Sequence, residues 1–181
     1  MTIQPRSITD VSSLPKTLVI GIGNPILRDD GIGNHIVNLL SSKYSNLPHT
    51  EFLELSTGGL SLAEKFVGYE KVIIIDAVAL ENAKVGEVFR FGMADMKHMI
   101  HQYSAHDYNL ATAYHILKTE LDSKKLPKDV IIFGIQIEPS MYFGEGLSDR
   151  VTRAIPKVLN KIKKELLTPA HLQEDKEKIK N

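Results

Sequence analysis

The amino-acid sequence predicts an α/β fold, a three-layer αβα sandwich around a mostly parallel, twisted sheet. Short runs of β-branched residues alternate along the chain with segments of helical periodicity, and the clearest of these runs, Val72-Ile73-Ile74-Ile75, is continuously apolar. A continuous Val and Ile run is typical of a strand that is covered on both faces of a sheet. Parallel strands need a crossover, which is usually a right-handed helical one, so the alternation indicates helices on both faces.

Periodicity divides the chain into strands and helices. The predicted strands are apolar or β-rich runs, and they cover residues 18–22, 51–55, 71–78, 87–91 and 130–137. The run at 87–91 is the weakest and is placed as an antiparallel edge strand. The predicted helices share apolar residues at three- and four-residue spacing, and they cover about 31–44, a segment after residue 59, about 110–121, and a last segment from Ser148 to Pro169. Residues 93–103 lack a clear period and fit a loop or a short helix.

Three local details accompany this assignment. Asp29 or Asp30 is available to cap the first helix. The second helix is expected to place Leu60, Ala63, Phe66 and Val67 on one apolar face. The third strand is expected to end in an acid, Asp76.

Length and composition favour one globular domain. The chain has 181 residues, which predicts a flexible leader over residues 1–16, a domain over 17–168 and a charged tail over 169–181. Lys and Arg together number 22, and Asp and Glu together also number 22. The chain therefore has no formal net charge that would attract nucleic acid or an anionic membrane. No apolar run reaches the roughly 18 residues that span a bilayer. Cysteine is absent, which excludes disulfides and thiolate sites and fits a reducing cytoplasm. The balanced charge and a self-contained core make a monomer the expected state.

Three candidate metal ligands fall where this fold binds ligands. In open α/β sheets, ligands lie beyond the carboxyl ends of the strands, where the strand order reverses. Asp30 follows the first strand, Asp76 ends the third, and His106 precedes the third helix. A strand order beginning 2-1-3 would bring Asp30 and Asp76 together. Two carboxylates and an imidazole suit a divalent first-row ion such as nickel or zinc.

Each of these residues also has a structural interpretation. Asp30 could be only a helix cap or a partner of the helix dipole, Asp76 a solvated acid at a strand end, and His106 a capping or surface residue. His98 and His101 are interpreted as an exposed pair. The other histidines, His35, His49, His115 and His171, are interpreted as structural or surface residues, and Tyr114 with Leu117 as core.

Motifs of other enzyme classes are missing from the sequence. Gly21-x-Gly23 begins a dinucleotide fingerprint, but Ile26 occupies the third glycine position, where close helix packing needs glycine. No Walker sequence, nucleophile elbow or His-Glu-x-x-His helix is present. Nucleotide binding therefore becomes a minor alternative.

The opening segment resembles a known family. Residues 21–33, Gly-Ile-Gly-Asn-Pro-Ile-Leu-Arg-Asp-Asp-Gly-Ile-Gly, are similar to the opening motif of the nickel-iron hydrogenase maturation endopeptidases. Shorter matches follow in order: Thr57-Gly58-Gly59-Leu60, Ile75-Asp76-Ala77-Val78, Ser104-Ala105-His106, Gly134-Ile135-Gln136-Ile137-Glu138-Pro139 and Gly146-Leu147-Ser148. The resemblance covers residues 17–167.

The resemblance implies a specific activity. Members of that family remove a C-terminal extension from the hydrogenase large subunit after nickel insertion, without ATP or a standard protease triad. It implies that Asp30, Asp76 and His106 are the metal-binding and catalytic residues, with Asp at the first position as an accepted variant of Glu, and that the precursor supplies the nickel. Gly58 and Gly59 would let the substrate tail approach the backbone, although a tight turn explains them equally well.

Two other functions stay open at this point. One is a metal-recognition or chaperone module for hydrogenase assembly that does not cut its partner. The other is an unrelated α/β enzyme for a small molecule such as a nucleotide.

Overall fold

A computed structural model of the protein describes residues 16–56, 58–96, 108–122, 125–139 and 143–168. The strands are β1 (Thr17–Ile22), β2 (Thr50–Leu55), β3 (Lys71–Val78), β4 (Val88–Gly92) and β5 (Asp129–Gln136). The helices are α1 (Ile32–Tyr44), α2 (Leu60–Glu64), α3 (Met93–Met96), α4 (Tyr108–Glu120) and α5 (Asp149–Leu166), and a 3-10 turn (Arg28–Gly31) precedes α1.

The strands form one sheet in the order β2-β1-β3-β5-β4. The β2, β1, β3 and β5 strands are mutually parallel, whereas β4 pairs antiparallel with β5 at the edge. The predicted mostly parallel sheet, its antiparallel edge strand and the order beginning 2-1-3 are therefore confirmed. The order reverses between β1 and β3, which places the binding crevice of this fold beyond the carboxyl ends of those two strands.

Helices cover both faces of the sheet and divide the core in two. On one face, alternate residues of β1 and β3 pack with α2 and α4. On the other face, the intervening residues pack with α1 and α5. All eight residues of β3 are buried, because this strand has a neighbour on each side and a helix layer above and below it. Tyr114 and Leu117 of α4 belong to this core, as predicted.

The second helix differs from its predicted form. Helix α2 has only five residues, and Leu62, Ala63 and Phe66 are buried while Leu60 is 49% exposed and Val67 is 38% exposed. The predicted apolar face is therefore confirmed for Ala63 and Phe66 and wrong for Leu60 and Val67. A helix shorter than two turns offers too few positions for spacing to define a face, and the burial is decided by contact with α4.

Both ends of α5 are held in place. Ser148 is its N-cap, and the hydroxyl accepts a hydrogen bond from the amide of Val151 at 3.4 Å. At the other end, Lys71 is 2% exposed and its ammonium donates to the carbonyl oxygens of Glu165 at 2.6 Å and Thr168 at 3.2 Å. The same ammonium pairs with the Glu165 carboxylate at 3.2 Å. A cation at a helix C-terminus is favourable, so this contact ties α5 to the start of β3.

Among the described residues, no helix is long and apolar enough to cross a membrane. Residues 1–15 and 169–181, which make up nearly all of the predicted leader and tail, lie outside the described ranges. The division into leader, domain and tail remains a prediction.

Glu165→Gln tests the contact between α5 and β3. We expect it to lower the free energy of unfolding by about 2 kcal/mol, because a buried ammonium loses its counter-charge. Urea unfolding of both variants would measure this, with Glu70→Gln as control. Glu70 pairs with Lys128 on the exposed surface at 3.7 Å, and its change should stay within about 0.5 kcal/mol. Equal losses in the two variants would contradict a stabilising role for the buried pair.

Candidate functional site

The carboxyl edge of the sheet is stepped. Pairing between β1 and β3 ends at Gly21 and Ile75, whereas pairing between β3 and β5 continues through Asp76 with Gly134 and as far as Val78. Asp76 is therefore the first residue of β3 beyond its partnership with β1. It does not end the strand, as the sequence had suggested, but lies inside it because β5 continues the ladder for two further residues.

Two glycines allow the chain to fold closely over this step. A Cβ on Gly33, in the first turn of α1, would collide with the carbonyl oxygens of Ile22 and Ile75. A Cβ on Gly23, where φ is +152°, would collide with the carbonyl oxygen of Asp30. Their missing side chains let the first turn of α1 lie against the ends of β1 and β3. The 3-10 turn that carries Asp30 thereby comes within 8 Å, Cα to Cα, of β3.

The two adjacent acids of this turn have different surroundings. Asp29 is 8% exposed, and its two carboxylate oxygens accept hydrogen bonds from the amide and the hydroxyl of Ser148. Asp30 is half-buried, and its Oδ2 accepts the amide of Asn24 at 2.7 Å. Within the described part of the chain, Asp30 Oδ1 accepts no hydrogen bond. Asp30 is thus the member of the pair that retains an oxygen for a ligand.

The predicted capping of α1 by Asp29 or Asp30 is wrong. The N-cap of α1 is Gly31, which has no side chain, and within the described ranges neither Asp29 nor Asp30 accepts an amide of this helix. The 3-10 turn runs directly into the helix, so the acids lie inside the turn and their carboxylates bind partners elsewhere. This removes capping as the structural interpretation of Asp30, whereas its place directly before α1 still suits a partner of the helix dipole.

Asp76 is deeply buried. It is 1% exposed, and its Oδ1 accepts the amide of the next residue, Ala77, at 2.8 Å. Side chains alternate along a strand. Because Ile75 and Ala77 pack toward α1 and α5, Asp76 lies on the face of the sheet covered by α2 and α4. A solvated acid at a strand end, its structural interpretation, does not describe this residue.

The third predicted ligand, His106, lies outside the described residues, as do His98, His101 and His171. Of the described histidines, His35 and His115 are exposed, in agreement with a surface role. No group of three His, Cys, Asp or Glu able to hold a metal exists within the described ranges. The structure therefore brings the Asp30 turn and the Asp76 strand to one edge, and the complete set of three stays a prediction.

The glycine pair after β2 forms a turn. Gly59 has φ +64° and is the N-cap residue of α2. That left-handed conformation favours glycine whether or not a substrate passes. The turn alone accounts for Gly59, and contact of Gly58 and Gly59 with substrate stays a prediction.

Two polar residues that the sequence analysis did not select help to build the site. Asn34, 5% exposed in α1, donates its side-chain amide to the carbonyl of Gly23 at 3.2 Å. Gln136 accepts the amide of Leu80 at 2.9 Å and donates to its carbonyl at 3.3 Å, which fixes the chain after β3. Gln136 is a lone amide between two isoleucines, which was a signal available in the sequence, whereas Asn34 beside His35 gave no such signal.

The two tyrosines with raised pKa values lie at the opposite edge of the sheet. Burial raises the pKa of Tyr69 to about 12, helped by its hydrogen bond to the carboxylate of Glu51 and by the charge of that group. Burial also raises the pKa of Tyr114, whose hydroxyl donates to the carbonyl of Pro127 just before β5. Both phenols stay protonated at neutral pH and cannot act as bases at the carboxyl edge.

Comparison with protein families decides the class of this protein. A family model described as hydrogenase maturation protease (HycI) matches residues 34–165, most of the domain, including Asp76 and starting just after Asp30. The chain belongs to the hydrogenase maturation protease family. As a member of this family it is a peptidase and therefore a hydrolase, which confirms the predicted enzyme class.

Individual relatives agree with this assignment. The Hydrogenase 2 maturation protease of Escherichia coli is 25% identical over 151 residues, spanning 81% of this chain and 88% of that protein. The hydrogenase expression/formation protein HoxM of Azotobacter vinelandii is 26% identical over 152 residues, 80% of this chain and 69% of that protein.

Solved structures share the fold. The maturation protease HybD from Thermococcus kodakarensis is 26% identical with a TM-score of 0.65, over 84% of this chain and 99% of that one. The maturating endopeptidase HybD from Escherichia coli has a TM-score of 0.68 at 24% identity, over 81% of this chain and 89% of that one. The α/β architecture of the maturation proteases thus extends over most of this chain.

Gly33→Ala tests the close approach on which the site of this maturation protease depends. We expect a loss of about 3 kcal/mol in stability together with loss of processing, because the added methyl would push α1 off the ends of β1 and β3. Gly92→Ala is a matched control, since a Cβ there meets nothing closer than 3.6 Å. Thermal unfolding should show less than about 1 kcal/mol of change for the control. A Gly33→Ala protein as stable as the control would contradict the packing described here.

Proposed function

We propose that this maturation protease removes a C-terminal extension from the large-subunit precursor of a nickel-iron hydrogenase after nickel insertion. The observation that carries the proposal is the pair of acids at the carboxyl edge. Asp30 keeps an oxygen that no described group engages, and its turn packs against the strand of Asp76. The Escherichia coli relative acts, by its name, in maturation of hydrogenase 2.

The nickel carried by the precursor is, in this proposal, bound by Asp30, Asp76 and His106. Carboxylate and imidazole donors suit first-row divalent ions, and three protein ligands leave positions open for groups of the precursor. The topology is compatible with the third ligand. Helix α4 begins at Tyr108, two residues after His106 in the sequence, and packs on the face of the sheet toward which Asp76 points.

The charges at this edge suit recognition of a metal-loaded partner. Two carboxylates brought to one ion would repel one another without it, and a divalent cation between them offsets that repulsion. A precursor without its metal offers no such compensation. Asp30 and Asp76 would therefore discriminate between loaded and empty precursors by charge, and docking would test whether insertion is complete.

The same ion would assist the hydrolysis. A divalent metal polarises a carbonyl oxygen or lowers the pKa of a bound water toward neutrality, which supplies a nucleophile without a serine or cysteine. The residues of this chain would hold and orient that ion at the scissile bond. Gly58 and Gly59 would border the path of the extended tail, where the absence of a Cβ permits close passage.

Dependence on nickel is the first test of this function. Precursor prepared with nickel should give a shortened product when incubated with the protease, whereas nickel-free precursor should keep its full mass. Intact-mass spectrometry reads out both reactions. A zinc-loaded precursor shows whether nickel itself or only a divalent charge is read. Cleavage of the nickel-free precursor at the same rate would remove the metal from recognition.

Asp76→Asn tests the ligand role of the buried acid. The amide keeps the shape and an oxygen for the Ala77 amide but loses the negative charge, so we expect an unchanged fold and processing at least about 100-fold slower. Asp95→Asn is the matched control, because the exposed Asp95 also accepts a backbone amide, that of Gly92 at 2.7 Å. Initial rates on nickel-loaded precursor and melting temperatures separate the two effects. Normal processing by Asp76→Asn would exclude Asp76 from the site.

A further inference from the structure

A buried hydrogen-bonded contact joins the turn of the acidic pair to a distant part of the chain. The amide of Ser148 donates to Asp29 Oδ1 at 2.6 Å, and its hydroxyl donates to Asp29 Oδ2 at 2.7 Å, across 119 residues of sequence. Hydrogen bonds to a charged acceptor are stronger than neutral ones. Ser148 is also the N-cap of α5, and the dipole of a helix favours a negative charge at this end. The helix therefore stabilises the Asp29 carboxylate.

The backbone reinforces this contact. The amide of Arg28 donates to the carbonyl of Gly144 at 3.0 Å, and the amide of Gly144 donates to the carbonyl of Ile26 at 2.9 Å. Leu27 and Gly144 form a parallel bridge. Together with the Asp29–Ser148 hydrogen bonds, these contacts form a latch between residues 26–29 and residues 144–148.

The latch holds a strained residue. Arg28 has φ +57°, a left-handed conformation that costs a residue with a Cβ roughly 1–2 kcal/mol. Such conformations persist only where the surroundings over-determine them. Gly144 packs against the side chain of Arg28, since a Cβ there would lie 3.2 Å from its Cγ. Release of the latch would let Arg28 relax, and the backbone rotation would change the direction of Asp30 two residues later.

We propose that Asp29 is a positioning residue, which fixes the carboxylate of Asp30 through its hydrogen bonds to Ser148. The inference rests on the function proposed above, in which Asp30 contacts the nickel of the precursor. Asp29 is not itself a ligand, because it is 8% exposed and both its oxygens are engaged. The adjacent acids thus have separate roles: Asp30 binds the metal of the partner, and Asp29 holds Asp30 in the orientation for that contact.

Asp29→Asn breaks the latch with the smallest change in shape. An asparagine carries no charge, and its amide nitrogen can contact Ser148 Oγ only if the hydroxyl turns round to accept, so both charge-assisted hydrogen bonds to Ser148 are lost or weakened. We expect kcat for nickel-loaded precursor to fall about 10- to 100-fold, as small misplacements of catalytic groups do, and KM to rise as well, because Asp30 would also bind the nickel through which the precursor docks. Ser148→Ala should give a smaller loss, and Ser148→Thr should retain most of the rate.

Tyr114→Phe separates positioning from stability. It removes the buried hydrogen bond to the carbonyl of Pro127 at the other edge of the sheet. We expect it to lower the melting temperature as Ser148→Ala does and to leave kcat unchanged. Unchanged kcat in both Asp29→Asn and Ser148→Ala would overturn the proposal, and Ser148→Ala alone decides it if Asp29→Asn does not fold.

Asp30→Asn distinguishes this inference from the proposed function. An inactive Asp30→Asn beside fully active latch variants would overturn the positioning role and leave the ligand role in place. An active Asp30→Asn would overturn both, because the latch would have no ligand to aim. Loss of kcat in Asp30→Asn and in the latch variants, with normal kcat in Tyr114→Phe, is the result that supports the inference.

Discussion

The functional edge of this protein depends on how closely one helix approaches two strand ends. Gly21 of β1 and Gly33 of α1 meet without side chains, and a Cβ on either would collide with backbone of the other segment. Because of that contact, the chain between them must turn back sharply over the end of β1. Asp30 lies in this turn. Its position beside β3 therefore follows from the packing of the backbone and does not depend on an interaction of its own side-chain charge. The position of Asp76 follows from the same step, since β3 continues past the point where β1 stops.

The acidic pair shows that residue type alone does not define a role. Asp29 and Asp30 are neighbours in one turn, yet one meets two donors at the start of α5 and the other meets a single amide in its own loop. A carboxylate with both oxygens satisfied stabilises the structure around it. A half-buried carboxylate with an oxygen to spare is ready for a ligand. Hydrogen-bond donors supplied by the surrounding fold, and not the sequence of the pair, decide which acid is fully hydrogen-bonded and which keeps an oxygen for a ligand.

Much of the fold could be predicted because burial and periodicity are strong signals in this chain. The strand at residues 71–78 was placed with its observed bounds because every residue in it is buried, although Asp76 was wrongly expected to be its last residue. The capping of α1 was predicted wrongly because capping preferences describe only contacts with neighbouring residues. The partner of Asp29 is 119 residues away in the sequence. Helix α2 was misread because five residues cannot define a period. Of the site, the two acids could be placed by strand order, but the link through Ser148 requires coordinates.

The sequence separation of the latch matters for how the maturation protease can respond to its substrate. Residues 26–29 belong to the first crossover and residue 148 to the last helix, so the two ends of the domain meet at the carboxyl edge. Helix α5 is in turn fixed at its far end by the buried Lys71 at the start of β3. A rigid frame therefore runs from the amino edge of β3 along α5 to the turn of Asp30. Because the turn of Asp30 is part of that frame, contacts within the fold hold this turn before any partner binds, and a metal-loaded partner bound there as proposed would need little further ordering of it.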